Sequence, residues 1–200
     1  QSFLNWYIGK NTTVERIFNK NGGAMNHLYK LTYNMTPIID NIYLGNACDA
    51  SYYYRLKENN IKHIINVTEE IPNYFKDDFN YYKININDVN QESFSNEMFE
   101  NVLNFIYKIQ NKNMVIKINS ENENENENEY YNKHKNNCKD ENILIHCYMG
   151  SSRSATIVIL YLIDKYKMTL EKAIHLIRQK RDIININTKF LENLQDFQKK

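Results

Sequence analysis

The chain has 200 residues, of which 42% are hydrophobic and 13% aromatic, enough to bury one substantial core. Its net charge is only +1, without the strong basic excess that is typical of proteins binding nucleic acid or anionic lipid, so the composition argues against both classes. The longest apolar run, Ala155–Ile163, is about half of the ~20 residues that a membrane-spanning helix needs. Three scattered cysteines favour a reducing compartment over a disulfide framework or a metal site, so we expect a soluble, cytoplasmic or nuclear protein.

The apolar pattern of the first half of the chain alternates between strands and helices. Residues 1–36 are rich in Asn, Lys and Thr and are interpreted as an amino-terminal extension, with the folded domain over residues 37–200. Periodicity then predicts, in chain order, a strand at Ile38–Leu44, a helix at Ala47–Glu58, strands at Lys62–Val67 and Tyr81–Ile86, and a long amphipathic helix from near Ser93.

A low-complexity segment interrupts this pattern. Residues Glu121–Glu129 are a strict Glu-Asn alternation, and the surrounding residues from about 117 to 140 offer no apolar face to bury. We predict a disordered insert there, which the fold tolerates because the entropy cost of closing a loop grows only logarithmically with its length.

The carboxyl-terminal part returns to the alternating pattern. It predicts a strand at Asn142–His146, a helix at Ser154–Lys167, a helix at Thr169–Arg181 capped by Thr169, and a last helix from Thr188. The whole order of elements predicts an α/β fold with a central, mostly parallel sheet flanked by helices.

The loop between the strand at 142–146 and the next helix has the composition of an anion-binding site. Its sequence is His146-Cys147-Tyr148-Met149-Gly150-Ser151-Ser152-Arg153-Ser154. A strand-to-helix loop aims backbone N–H groups and the positive end of the helix dipole at one small volume, which suits a phosphate group. Gly150 lets the backbone turn, small Ser151 and Ser152 keep the cradle open, and the planar guanidinium of Arg153 matches two phosphate oxygens.

Cys147 is the candidate nucleophile of this loop. The positive potential there favours the thiolate, which is the reactive form of cysteine. A cysteine with an arginine six places later is a weak signal alone, and the competing interpretation is a buried structural cysteine before a helix-capping segment. The preceding His146, the central glycine, the hydroxyl after the arginine and the flanking strand and helix favour the catalytic interpretation.

Together these residues resemble the dual-specificity branch of the cysteine-dependent protein tyrosine phosphatases, in particular its small members without a kinase-docking module. The resemblance extends to Ile38–Asn46 and Ile61–Glu70, which look like the first two strands of that family, and to Ile157–Ile163, which looks like its helix after the loop. It covers about Pro37 to Phe197 outside the Glu-Asn insert. It implies a protein tyrosine phosphatase-like fold, with no cofactor and no metal.

The resemblance also implies a mechanism in which Cys147 forms a phosphocysteine and an aspartic acid protonates the departing oxygen. Asp88 lies where the family's acid occurs, on a loop able to swing over the cradle. Its alternative role is to cap the next helix, and Asp77 and Asp78 are rival acids that precede the strand.

Three more residues receive supporting roles from the resemblance. Ser154 would hydrogen-bond the sulfur of Cys147 and help it leave in the second step. His146 would orient the loop through backbone contacts, and Asn187 resembles the asparagine that buttresses the loop.

The expected partner is a phosphoprotein substrate, and neither nucleic acid nor membrane is expected as a partner. No segment resembles the deep phosphotyrosine slot of the classical tyrosine phosphatases, so a shallow pocket accepting phosphotyrosine and phosphoserine or phosphothreonine is expected. Phosphoinositide phosphatases of this chemistry place lysines in the loop, and messenger-RNA triphosphatases depend on a basic surround. Those two activities, and a silent phosphate-binding adaptor, stay open as alternatives.

Overall fold

A computed structural model of the chain describes residues 35–88, 93–121 and 140–199. The predicted extension therefore lies outside the described residues except at its end, where Met35 is buried and Thr36 begins a strand. The domain division at residue 36 stays a prediction. Most of the predicted insert, residues 122–139, also lies outside the described part. Within that part, no helix has the length and apolar character needed to span a membrane.

Five strands form one sheet in the order β1-β2-β5-β3-β4. Their bounds are β1 Thr36–Ile39, β2 Ile42–Gly45, β3 Ile61–Asn66, β4 Asn80–Lys83 and β5 Asn142–His146. Only the β1–β2 pair among them is antiparallel. The predicted α/β fold with a mostly parallel sheet is confirmed.

Six helices of the described residues surround the sheet. Their bounds are α1 Ala47–Ser51, α2 Tyr53–Glu58, α3 Asn96–Glu121, α4 Arg153–Tyr166, α5 Leu170–Lys180 and α6 Thr188–Gln198. Thr169 caps α5, as predicted, by accepting a hydrogen bond from the Lys172 N–H at 3.4 Å.

The core consists of two hydrophobic clusters separated by the sheet. Alternate strand residues point to opposite faces, so Ile65 and Ile145 join the larger cluster whereas Ile64 and Leu144 join the smaller one. The larger cluster includes α4, which is buried from its first residue to Ile163. β3 and β5 thus lie at the centre of the sheet, with both of their faces covered. This rigid pair fixes the position of the loop that follows β5.

The predicted strand at Ile38–Leu44 is wrong, because the structure forms a hairpin there. Asp40 adopts a φ of 50° between β1 and β2. Its carboxylate accepts hydrogen bonds from Tyr161 at 2.5 Å and Lys165 at 3.1 Å, and the Asn41 amide donates to the Glu141 carbonyl at 2.7 Å. The turn is stabilised by groups that are distant in sequence.

Two further boundaries differ from the prediction in this region. The single helix at Ala47–Glu58 is divided at Tyr52, where the Ser51 hydroxyl bonds back to the Cys48 carbonyl at 2.8 Å and α1 ends. The strand predicted to reach Ile86 ends at Lys83, because its neighbour β3 ends at Asn66.

The boundaries of α3 also differ from those predicted. It begins at Asn96, after the Ser95 hydroxyl that accepts the Met98 N–H at 3.1 Å. It continues to Glu121, so residues 117–121 of the predicted insert are helical. Near that end the Asn113 amide bonds to the main chain of Glu141 at 3.2 Å, which docks the helix beside the start of β5.

Candidate active site

The loop predicted to carry the chemistry joins β5 to α4 at the carboxyl edge of the sheet. His146 ends β5, and its carbonyl accepts the Val67 N–H at 2.9 Å. Ser152 is the residue before α4, so the first N–H groups of that helix face the loop. The fold therefore places the positive end of a helix dipole at the end of a buried strand.

The sulfur of Cys147 lies inside this loop. Its Sγ accepts a hydrogen bond from the Gly150 N–H at 3.2 Å and another from the Ser154 hydroxyl at 3.2 Å. The side chain is only 2% exposed. Two hydrogen-bond donors thus converge on one sulfur beside the start of a helix, which is the arrangement expected around a nucleophilic cysteine.

Gly150 is required at its position by both conformation and space. Its φ is +71°, and a Cβ there would lie 2.5 Å from the carbonyl oxygen of Gly45. The adjoining carbonyl of Tyr148 accepts the Ala47 N–H at 3.1 Å. The loop therefore rests against the end of β2, and only glycine permits that close approach.

Arg153, the first residue of α4, is buried with its guanidinium engaged by acceptors from other loops. It is 5% exposed, and its Nη1 and Nη2 donate to the two carboxylate oxygens of Glu70 at 2.9 and 2.8 Å. Nη1 also donates to the Ile86 carbonyl at 3.1 Å. Although burial opposes the charge, the hydrogen bonds to Glu70 raise the pKa of Arg153 above its ordinary value. Its Nε is buried and has no hydrogen-bond partner among the described residues.

Asp88 approaches the same place from the loop after β4. Its Oδ1 accepts hydrogen bonds from the Ser152 hydroxyl at 3.1 Å and from the Asn187 amide at 3.3 Å. Its Oδ2 lies 3.9 Å from the Nε of Arg153, within ion-pair distance but beyond that of a hydrogen bond. The structure thus brings Asp88 together with the loop.

The structure also tests the helix-cap role of Asp88 and the two rival acids, Asp77 and Asp78. Ser95, not Asp88, supplies the side chain that accepts an N–H in the first turn of α3, so the helix-cap interpretation of Asp88 is wrong. Asp78 accepts a hydrogen bond from the Tyr53 hydroxyl at 3.0 Å and lies 4.0 Å from Lys57, on the side of the smaller hydrophobic cluster. Asp77 is exposed in the same turn. Neither rival is placed at the loop.

Comparison with known proteins agrees with this geometry. The family model described as "Dual specificity phosphatase, catalytic domain" matches residues 129–200. The chain is 30% identical over 163 residues to the Xenopus laevis "Protein phosphatase Slingshot homolog", covering 82% of this chain and 20% of that protein. It is 29% identical over 168 residues to the Arabidopsis thaliana "Dual specificity protein phosphatase 1", covering 83% of this chain and 70% of that protein.

Comparison with solved structures also finds dual-specificity phosphatases. The crystal structure of DUSP15 superposes with a TM-score of 0.63 at 26% identity, covering 82% of this chain and 86% of that chain. The chain is thus similar to dual-specificity phosphatases in both sequence and fold. It spans only 13% to 35% of the length of the fly and frog Slingshot proteins and the human dual specificity protein phosphatase 9 that it also matches.

The loop is supported by two asparagines that precede α6. Asn187 contacts the loop through its main chain: its N–H donates to the Ser152 hydroxyl at 3.1 Å, while its side-chain amide donates to the Asp88 carbonyl at 3.1 Å. Its side-chain oxygen also caps α6 through the Lys189 N–H at 2.9 Å. A second main-chain support comes from Asn185, whose N–H donates to the Ser151 carbonyl at 3.0 Å.

His146 has the surroundings of a structural histidine. It is completely buried, and this burial lowers the pKa of its imidazole to about 4. The ring is therefore neutral near pH 7. Its Nδ1 lies 3.4 Å from the Cys147 carbonyl, consistent with the predicted role of orienting the loop without shuttling protons.

Two residues that the sequence did not single out as site residues complete the site. Arg181, buried at the end of α5, donates from Nε to the Gly150 carbonyl at 2.9 Å and from Nη2 to the Met149 carbonyl at 3.3 Å. Glu70 pairs with Arg153 across the site. No local pattern in the sequence distinguishes either residue from other charges at the ends of elements, because both contacts join distant segments.

The outer side of the loop is uncharged. Met149 is 59% exposed, Tyr148 and Ser151 are half-buried, and Ser152 is buried against Asp88 and Asn187. A substrate entering the cradle therefore meets apolar and hydroxyl groups at the rim and the positive guanidinium inside.

Proposed function

We propose that this chain is a protein phosphatase that hydrolyses phosphotyrosine and phosphoserine or phosphothreonine through a phosphocysteine intermediate. The observation that carries the proposal is the sulfur of Cys147, which accepts hydrogen bonds from Gly150 and Ser154 at the start of α4. A buried structural cysteine has no need of two donors or of a helix terminus.

In the first step the thiolate of Cys147 attacks the phosphorus atom of the substrate. An S–P bond forms, the P–O bond to the substrate side chain breaks, and Asp88 donates its proton to the departing oxygen. The Nε of Arg153 and the N–H groups of the loop bind the phosphoryl oxygens, whose negative charge is spread in the transition state.

In the second step water attacks the phosphorus of the phosphocysteine. Asp88 now accepts a proton from that water, the S–P bond breaks, and inorganic phosphate leaves. The hydroxyl of Ser154, 3.2 Å from the sulfur, stabilises the thiolate as it departs. The chain then returns to its starting state, so atoms and protons balance over the cycle.

A protein substrate suits the rim better than the alternatives. Tyr148, Met149, Ser151 and Ser152 carry no charge, whereas a multiply phosphorylated headgroup or an RNA 5′-triphosphate needs several cations. A silent adaptor has no need for an acid beside the loop, yet Asp88 contacts it through Ser152. The predicted cytoplasmic or nuclear location, which rests on the free thiols, stays a prediction.

The test is release of nitrophenol from para-nitrophenyl phosphate by the purified chain. Turnover is expected with the native residue and with Cys48→Ser, a half-buried control cysteine outside the loop, and is expected to vanish in Cys147→Ser. Equal rates for Cys147→Ser and the native chain would exclude the cysteine mechanism. A panel of phosphopeptides, phosphoinositides and triphosphorylated RNA then ranks the substrates, and preference for either of the last two contradicts a protein substrate.

A further inference from the structure

The hydrogen bonds of Arg153 leave one edge of its guanidinium unoccupied. Arginine has five N–H donors in a fixed plane. Glu70 takes one from each terminal nitrogen, and the Ile86 carbonyl takes the second donor of Nη1. The Nε donor and the second Nη2 donor remain, and among the described residues Nε has no hydrogen-bond partner.

These two remaining donors form a parallel pair on the same side of the guanidinium. That is the arrangement that binds two oxygens of a phosphate at once. Asp88 Oδ2 lies 3.9 Å from Nε, so the unoccupied edge faces the acid. Glu70 therefore binds the end of the guanidinium formed by Nη1 and Nη2. The edge formed by Nε and Nη2 stays directed into the site.

The loop that carries Glu70 is fixed by buried polar contacts. Asn66, fully buried at the end of β3, donates to the Ile71 carbonyl at 2.8 Å, and Thr68 donates to the Asn66 side-chain oxygen at 2.7 Å. Lys83 of β4 donates to the same Ile71 carbonyl at 2.6 Å. Glu70 is thus anchored to the sheet on both sides of its own position.

The charge of Glu70 makes its presence unexpected at a site for dianions. Its side chain is 43% exposed, and although burial opposes ionisation, its hydrogen bonds to Arg153 hold the pKa of the carboxyl below its ordinary value. A carboxylate next to the phosphate-binding arginine repels the substrate by simple electrostatics. A benefit to substrate binding therefore requires that the alignment of Arg153 contributes more than this repulsion costs.

We infer that Glu70 is a positioning residue for Arg153, aligning the guanidinium so that its Nε and Nη2 edge clamps the phosphoryl group of the substrate. This inference rests on the proposed function and adds a residue to it. It excludes the opposite role, in which Glu70 competes with substrate for Arg153, because a competitor has to occupy the donors that the phosphoryl group uses.

Oxyanion binding separates the two roles. Tungstate, a tetrahedral dianion, is titrated by calorimetry into Cys147→Ser protein carrying Glu70→Gln, Glu70→Ala or Glu70→Asp. The matched control is Glu69→Gln, which removes the same charge from the exposed neighbouring residue. We expect the Gln and Ala variants to weaken tungstate binding roughly tenfold to a hundredfold, with the carboxylate of Glu70→Asp restoring part of it.

A double-mutant cycle in kcat/KM distinguishes positioning from a general structural role. If Glu70 acts through the guanidinium, Glu70→Ala has little further effect in an Arg153→Lys chain, because lysine has no planar edge to align. Full additivity of the two losses overturns the inference.

The remaining outcomes are also decisive. Unchanged or tighter tungstate binding in the Glu70 variants overturns the inference while para-nitrophenyl phosphate turnover by the native chain keeps the proposed function. Absence of both tungstate binding and turnover in chains with native Glu70 removes the proposed function and the inference with it.

Discussion

Asp88 shows how individual side chains define the chemistry of the site. One carboxylate oxygen accepts hydrogen bonds from Ser152 and Asn187, which leaves the other oxygen facing the Nε of Arg153 at 3.9 Å. An acid held by one oxygen keeps the second in a defined place for proton transfer to a leaving group. The side chain of Asn187 therefore supports the site by holding Asp88, although it does not touch Cys147.

Replacing Asp88 by Asn tests this role through the leaving group. Nitrophenolate departs readily without a proton, whereas a serine alkoxide does not. We expect Asp88→Asn to lower kcat/KM by about 10² to 10⁴ for a phosphoserine peptide and far less for para-nitrophenyl phosphate. Asp78→Asn, at the acid that bonds to Tyr53, is the control and is expected to change neither rate. Equal losses on both substrates would show that Asp88 does not act as the acid.

At the level of elements, the sequence predicted the strand, loop and helix around Cys147 closely, because a buried apolar strand and helix flank a short polar segment. It did not predict the hairpin at Asp40 or the division of the first helix at Tyr52. The hairpin depends on contacts from distant residues, such as Tyr161 on Asp40. The end of α1 depends on a side-chain bond from the Ser51 hydroxyl to the Cys48 carbonyl. Local apolar spacing contains no information about such contacts.

The short helix α1 carries a buried acid close to the loop. Asp49 and Asn46 cap each other reciprocally, with N···O distances of 2.8 and 2.9 Å. Asp49 also lies near Arg181, whose charge opposes the effect of burial. Burial nevertheless dominates and raises the pKa of Asp49 from 3.8 to about 6.

The raised pKa of Asp49 predicts a pH dependence of stability. The folded chain binds this proton more tightly than the unfolded chain, so the contribution of Asp49 to stability falls as pH rises from 3.8 to about 6. Asp49→Asn cannot ionise and keeps an acceptor for the cap. Its free energy of unfolding relative to the native chain is therefore expected to increase through this window, by up to about 3 kcal/mol, and to be level above it.

Urea denaturation at several pH values measures that difference. The control is Asp196→Asn, which removes an exposed acid paired with Lys199 near the end of α6 and is expected to show no such rise. A difference between Asp49→Asn and the native chain that stays constant from pH 4 to pH 7 contradicts the assignment.

On the scale of the whole molecule, the sheet explains why the site assembles where it does. The four parallel strands all end at one edge, and each is followed there by a part of the site. β5 leads to Cys147, β3 to Glu70, β4 to Asp88, and β2 to Gly45 against the loop. Ligand sites at the carboxyl ends of parallel strands are a general property of such sheets.

This arrangement also sets the limit of prediction from sequence. The composition of the loop identified Cys147 and Arg153, and its family resemblance suggested Asp88, Ser154 and Asn187. The pairing of Arg153 with Glu70 requires knowing that β3 and β5 are neighbours in the sheet. Strand order is a property of the assembled fold, so no spacing within one segment could have shown it.

The most direct test of the account is the chemical identity of the intermediate. Ser154→Ala removes the hydroxyl that stabilises the departing sulfur, so the second step slows and the phosphorylated chain accumulates. We expect rapid denaturation during turnover of a phosphotyrosine peptide, followed by peptide mass spectrometry, to find one phosphate on the peptide that contains Cys147. Continued turnover with the phosphate on a different residue, or on none, contradicts a phosphocysteine mechanism.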